Sequence, residues 1–322
     1  IVENHRIKFW GVRGSFPAPD RDKVEVGGHS SCVEVRTADN RLIIFDMGTG
    51  MVPLGKSLLN EENPPKSAHI FISHFHWDHI IGYLGFSPFF YDWFTCNIYG
   101  KEDKLTIDEI FNHIHHYTFW PIEMPMYKAK INLHTFPNKC LEISNTIKIK
   151  STLHGHPNGA NSYRLELGKY SIVYCTDIEH PHDKLNPNII DFCKDADILI
   201  NDAQFTDEQL PDHKGWGHSS WQQSTELAKK ANVLIHEATY SNKYADKAMK
   251  HFHTTDLQAM EVADKAQVDR LILTHFSQRL KKADLAMARV KNTLKNSGIN
   301  AEILTMKGYP PIVYGEVKSK KN

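Results

Sequence analysis

Cysteine is scarce in this chain: Cys32, Cys96, Cys140, Cys175 and Cys193 are five in 322 residues, odd in number and without a CxxC pair. That excludes a disulfide framework and a zinc ribbon, and it makes a reducing cytoplasm the expected compartment. Net charge is also missing, since Lys plus Arg equals Asp plus Glu at 38 each. No basic field of the kind that drives nonspecific nucleic-acid binding is present, so a small anionic substrate suits the chain better than a long polyanion. No apolar run approaches the roughly 18 residues that span a bilayer. The opening residues Ile1 to Arg6 lack the apolar core of a signal peptide, and no membrane partner is expected. The 41% of hydrophobic residues can bury a full core, in one large α/β domain or in two ordinary ones.

Histidine, by contrast, is plentiful, with 20 residues. Four potential metal ligands, His74, His76, Asp78 and His79, fall within six positions, directly after the apolar run Ile70-Phe71-Ile72 and Ser73. Imidazoles two apart can converge on one ion while an adjacent Asp-His pair serves a neighbouring position. The run therefore reads as a site for two divalent ions on a strand-end loop. The alternative, a solvated histidine-rich loop, draws some weight from the overall histidine content.

This HxHxDH run resembles the signature of the metallo-β-lactamase superfamily of hydrolases. The segments Phe9 to Ser15 (FWGVRGS), Gly27 to Cys32 (GGHSSC) and Phe45 to Gly50 (FDMGTG) resemble the opening hairpins of one branch. That branch includes cyclic-nucleotide phosphodiesterase-like proteins and is related to the tRNA-processing enzyme ribonuclease Z. The resemblance spans most of the chain and implies one α/β domain over 1–322, an αββα sandwich of two mixed β-sheets flanked by helices. The strand pattern agrees: short β-like runs at 7–10, 32–35, 42–45 and 70–72, a second set near 147–151, 163–167 and 171–174, then strands alternating with helices. Leu167-Gly168-Lys169-Tyr170 reads as a hairpin turn.

Carried onto this sequence, the resemblance implies further ligands. His156 matches the family's HPxG motif, with His154 as rival. Asp177 follows the apolar run Ile172 to Cys175, where the family has its bridging carboxylate, and His275 closes Leu271 to Thr274. One ion would then be held by His74, His76, His156 and Asp177, the other by Asp78, His79, Asp177 and His275. Zinc is the expected metal, with manganese or iron also compatible. A hydroxide shared by the two ions would be the nucleophile, oriented by Asp78, and each ligand imidazole should have an outer acceptor fixing its tautomer. A homodimer is expected because relatives often form one.

Two other features resist absorption into that site. The aromatic-rich stretch from Gly82 to Trp120 reads as core or as an oligomer contact, with a pocket lining or lid as the alternative. Within it, His113, His115 and His116 have no acidic companion and read as surface.

Between Asp177 and His275 the chain repeats itself without a gap at an offset of 35: residues 196–205 (ADILINDAQF) align with 231–240 (ANVLIHEATY), and His218-Ser219-Ser220 with His253-Thr254-Thr255. The reading is a tandem strand-helix duplication at about 196–230 and 231–266. Each copy holds a strand, an acidic turn, and a helix started by hydroxyl residues suited to capping. The first copy, with Gly215 to Ser220, resembles the phosphodiesterase-like branch, and the second, with His236-Glu237-Ala238-Thr239, resembles ribonuclease Z. Strands lie about 4.8 Å apart, so two inserted strands would spread the site, and one copy is predicted to be displaced to an edge, a lid or a dimer contact. The second copy is favoured as catalytic, with His253 and Glu237, because only 22 positions lead from His253 to His275. His218 is the alternative.

The predicted activity is a dinuclear metal-dependent hydrolase cleaving a small phosphodiester such as a cyclic nucleotide. Pre-tRNA is the runner-up; only 20 residues separate His156 from Asp177, which leaves no room there for a long RNA-gripping arm. A thioesterase or lactonase on the same metals, or a catalytically silent metal-binding module, are the remaining readings.

Overall fold

A computed structural model of the chain describes residues 5–19, 27–102, 104–137, 140–181, 184–228, 231–237, 246, 270–274 and 300–303, the last three strand segments as backbone. The described residues form two compact units, divided between Pro137 and residue 138.

The first unit holds a mixed six-stranded sheet whose spatial order follows the sequence: β1 (Arg6–Gly11), β2 (Cys32–Arg36), β3 (Leu42–Phe45), β4 (Ser67–Phe71), β5 (Thr95–Gly100) and β6 (Lys130–Thr135). Antiparallel pairing carries β1 to β3, and parallel pairing carries β3 to β6. β2 and β3 are buried at every position; β3 (LIIF) reads as a continuous apolar run, whereas β2 (CVEVR) buries Glu34 and Arg36 as an ion pair at 2.7 Å. Helix α1 (Met51–Leu59) follows β3 and buries Met51, Leu54 and Leu58 at the three- and four-residue spacing of one helix face. The short α2 (Trp77–Ile80) carries part of the histidine run, and α3 (Ile107–Ile114) lies between β5 and β6.

The aromatic stretch is chiefly core: Tyr83, Phe86, Phe89, Phe94 and Phe111 are fully buried and join the cluster of Ile44, Ile70, Ile98 and Leu54. α3 shows which force holds a short helix. Its capping box, in which Thr106 Oγ1 accepts from Glu109 N while Glu109 accepts from Thr106 N, contributes about 1 kcal/mol. Burial of Ile107, Phe111 and Ile114 contributes about 1.5–3 kcal/mol each, so packing dominates. The same face corrects the reading of the histidine trio. His115 is buried, bonded to Ile122 O (2.8 Å) and edge-on to Tyr83, because it lies one position past the Phe111/Ile114 stripe; His113 and His116 are exposed as expected.

The second unit holds a mixed eight-stranded sheet, also in sequential order. Its members are β7 (Cys140–Ser144), β8 (Ile147–His154), β9 (Ala160–Leu167), β10 (Tyr170–Cys175), β11 (Ala196–Asn201), β12 (Ala231–Glu237), β13 (Arg270–Thr274) and β14 (Asn300–Ile303). β7 to β10 form an antiparallel meander, and β10 to β14 are parallel. The β9–β10 hairpin turns at Gly168, whose φ of 59° suits the predicted tight turn. Helix α4 (Pro187–Cys193) connects β10 to β11, and α5 (Trp221–Ala228) connects β11 to β12. The expected fold class, α/β with two mixed sheets and accompanying helices, is present.

The two strands of the sequence repeat are neighbours. β11 and β12 pair in parallel with Ala196 opposite Ala231, Ile198 opposite Val233 and Ile200 opposite Ile235, which is the 35-residue offset of the sequence repeat. Contrary to the expectation, neither repeat strand is displaced to an edge: both lie between β10 and β13. The two strands pair position for position along the backbone, so parallel pairing extends the sheet without a change of register.

Candidate functional site

In the first unit the ligand candidates gather where parallel strands end together. β3 stops at Asp46, whose N–H donates to Phe71 O (3.0 Å), and β4 runs out through Ile72 into Ser73 and His74. Asp46 is fully buried in a left-handed conformation, φ 60°, which Asp tolerates better than most residues. Its Oδ1 accepts from Ser73 N (2.7 Å); its Oδ2 accepts from Ser73 Oγ (2.9 Å) and lies 2.7 Å from His79 Nδ1. A carboxylate only accepts, so His79 carries its proton on Nδ1 and presents Nε2, which lies 3.3 Å from Asp78 Oδ2. Ser73 Oγ, having donated to Asp46, accepts from His74 Nδ1 at 3.1 Å, and His74 Nε2 faces His76 Nδ1 at 3.0 Å.

Three histidines and Asp78 thus turn donor atoms toward one another, with two tautomers set by groups behind them. That donor chemistry fits divalent cations such as zinc. The same Asp78 Oδ2 accepts from Ser15 N (2.8 Å). The loop after β3 packs so closely that a Cβ on Gly82 would meet Gly48 O at 1.9 Å, which explains a glycine just past the histidine run. Sequence reasoning missed Asp46 as a site residue; its signal is an Asp ending an apolar strand paired in parallel with the strand that leads to the histidines.

The second unit assembles its candidates over longer range. His156, after β8, points Nδ1 at Gly217 O (3.0 Å), so its Nε2 is the nitrogen available to a cation. Gly217 comes from the loop before α5, has φ 85°, and would drive a Cβ to 2.0 Å from His156 Nδ1. Only glycine fits there. Glu179 clamps that loop, accepting from Gly215 N and Gly217 N at 2.8 Å each.

Asp177, two residues past β10, is buried with φ 50°. Asp202, just past β11, accepts from Ser219 N (2.9 Å) and donates its own N–H to Cys175 O (3.2 Å). Between these carboxylates lies His218, with Nδ1 at 3.3 Å from Asp202 Oδ2 and 3.5 Å from Asp177 Oδ1. Asp177, Asp202 and His218 offer donor atoms within 4.8 Å of one another. Asp202 was seen in the sequence only as the acidic position of the first repeat.

His154, the rival of His156, is buried, and loss of solvent lowers its pKa to about 4, so it is neutral; burial does the same to His180. Glu237 is the last residue of β12, while His253 and His275 lie outside the described residues. No helix among the described residues is long and apolar enough to cross a membrane.

Comparison with known proteins identifies the family. A model of the β-lactamase superfamily domain matches residues 41–237, more than half of the chain and a span that includes both sets of ligand candidates except His275. Ribonuclease Z of Thermoplasma volcanium is 27% identical over 283 residues, covering 72% of this chain and 85% of that protein. Ribonuclease Z of Picrophilus torridus is 27% identical, covering 94% and 96%. Among solved structures, the metallo-β-lactamase fold protein YhfI from Bacillus subtilis is similar at 17% identity and a TM-score of 0.49, covering 97% of this chain and all of that one.

Proposed function

The chain belongs to the metallo-β-lactamase superfamily and is a metal-dependent hydrolase; from that premise we propose that it cleaves a phosphodiester in a small substrate such as a cyclic nucleotide. The proposed ligands are His74, His76, Asp78, His79, His156, Asp177 and His275, for two divalent ions, zinc foremost. When bound, such ions make water nucleophilic at neutral pH and neutralise charge on phosphorus oxygens. The chain's own groups do the rest. Asp78, fixed by Ser15 N, orients the attacking water. As the new P–O bond forms and the bond to the departing sugar oxygen breaks, an imidazole delivers a proton to that oxygen.

The observation that carries this reading is His218 beside Asp177. Asp202 and Asp177 hold the Nδ1 proton, so the imidazolium form carries its second proton on Nε2, gives it to the leaving oxygen, and is left as the neutral Nδ1–H ring. A placed proton donor is what an alkoxide leaving group requires, which favours a phosphodiester over a lactam. His218 therefore takes the acid role here, with Asp202 positioning it; His253 with Glu237 is the competing pair.

Pre-tRNA is the second reading, supported by the ribonuclease Z relatives. Metal-loaded protein is expected to turn over bis-p-nitrophenyl phosphate, and Asp78→Ala to abolish it. Turnover of thioesters or lactones with none of diesters would overturn the assignment.

A further inference from the structure

Two of the most exposed large apolar side chains are carried by residues next in sequence to Ser15 and Asp78, which share a hydrogen bond. Phe16 is 80% exposed and Trp77 is 59% exposed. Trp77 opens α2, and the residues after it, Asp78, His79 and Ile80, are buried, so this turn directs one ring outward and the ligand candidates inward. Phe16 follows Ser15, whose N–H donates to Asp78 Oδ2.

The Phe16 loop is built to stay in place. Val12 N and Arg13 N both donate to His29 O at 3.0 Å, and Arg13 Nε donates to Gly27 O at 2.9 Å, which secures its base. Its tip is a tight turn in which Phe16 N donates to Gly14 O (2.6 Å) and Ser15 takes φ 60°, a left-handed conformation costly for a residue with a Cβ. Pro17 stiffens the exit. Scattered exposed apolar residues need no explanation. These two rings differ because each is on a residue adjacent in sequence to a partner of the Ser15–Asp78 hydrogen bond.

We propose that Phe16 and Trp77 supply an aromatic platform beside Asp78 that stacks a nucleobase, making the substrate class a nucleotide diester with a base next to the scissile phosphate. The inference rests on the phosphodiesterase reading and sharpens it. The zero formal charge points the same way: with no net field to gather a polyanion, recognition falls to contacts at the site. Every base has a π-face, so stacking accepts any of them.

The test compares thymidine 5′-(p-nitrophenyl phosphate) with methyl p-nitrophenyl phosphate, two diesters that release the same phenolate and differ in the nucleoside. Metal-loaded wild-type protein is expected to prefer the thymidine ester. Phe16→Ala and Trp77→Ala are each expected to lower the ratio of the two kcat/KM values by about five- to fiftyfold, mainly through KM, within the range one stacked base supports. Trp77→Phe should restore most of it. A ratio cancels losses from impaired folding or metal loading, so variants that slow both esters equally overturn the platform, as does a wild type without preference. Absence of turnover on either ester, in protein shown to hold metal, defeats the diesterase reading and the platform with it; turnover of both at an unaltered ratio defeats the platform alone.

Discussion

The two units hold their candidate ligands by different means. In the first, His74, His76, Asp78 and His79 are near neighbours in sequence, and the groups behind them are side chains: Asp46 and Ser73 fix the rings of His79 and His74. In the second, His156 is steered by a backbone carbonyl 61 residues away, in a loop that Glu179 clamps through two main-chain N–H groups. The units also share a device, since Asp46 and Asp177 each follow a β-strand in a left-handed conformation. Side-chain support leaves a trace in the amino-acid code, whereas backbone support leaves only a glycine.

The largest expected effect separates the repeats. His218→Ala is expected to lower kcat about a hundred- to ten-thousand-fold on substrates with alkoxide leaving groups, the span of a lost general acid, and His253→Ala to leave kcat within a few fold. Steady-state kinetics on both variants decide it, and the reverse pattern returns catalysis to the second copy.

Next come the supports. Asp46→Ala and Gly217→Ala are each expected to weaken metal affinity about ten- to a hundredfold, measured by competition with a chromogenic chelator. Asp46→Asn should recover part of the loss, because an amide oxygen still accepts from Ser73. No side chain replaces Gly217, where any Cβ meets His156. If Gly217→Ala binds metal as well as wild type, the contrast between the two kinds of support is void.

The smallest effect is on stability and pH. Burial lowers the pKa values of His69, His154 and His180 to about 4. Above the ordinary histidine value near 6.5 both folded and unfolded forms are neutral and no stability is at stake. As pH falls from about 6.5 toward 4 the unfolded chain takes up protons first, so stability declines across that window. The urea midpoint of the metal-free protein should drop between pH 7 and pH 5, with a shallower slope in His69→Gln.

The histidine run and the apolar strands were legible because their information is local: His74 to His79 span six consecutive residues, and β3 is an unbroken apolar segment. Others were hidden. β5 was overshadowed by the aromatic stretch around it, and Asp46 entered only within the FDMGTG segment because its partners Ser73 and His79 are far along the chain. His115 read as surface because helical phase, not composition, buries it. The repeat itself was plain, but its location was not. Two strands between β10 and β13 spread the strand ends, which favours displacement of one, yet the sheet holds both and β13 lies three steps, about 14 Å, from β10.

The matched pairing of β11 with β12 has a consequence for how such a chain can change length. Because each residue of one strand faces its own duplicate in the other, removing one 35-residue copy would bring the survivor against β10 with the same faces up and down. The sheet behaves like a bound notebook from which one leaf can be taken, or to which one can be added, without disturbing the pages on either side.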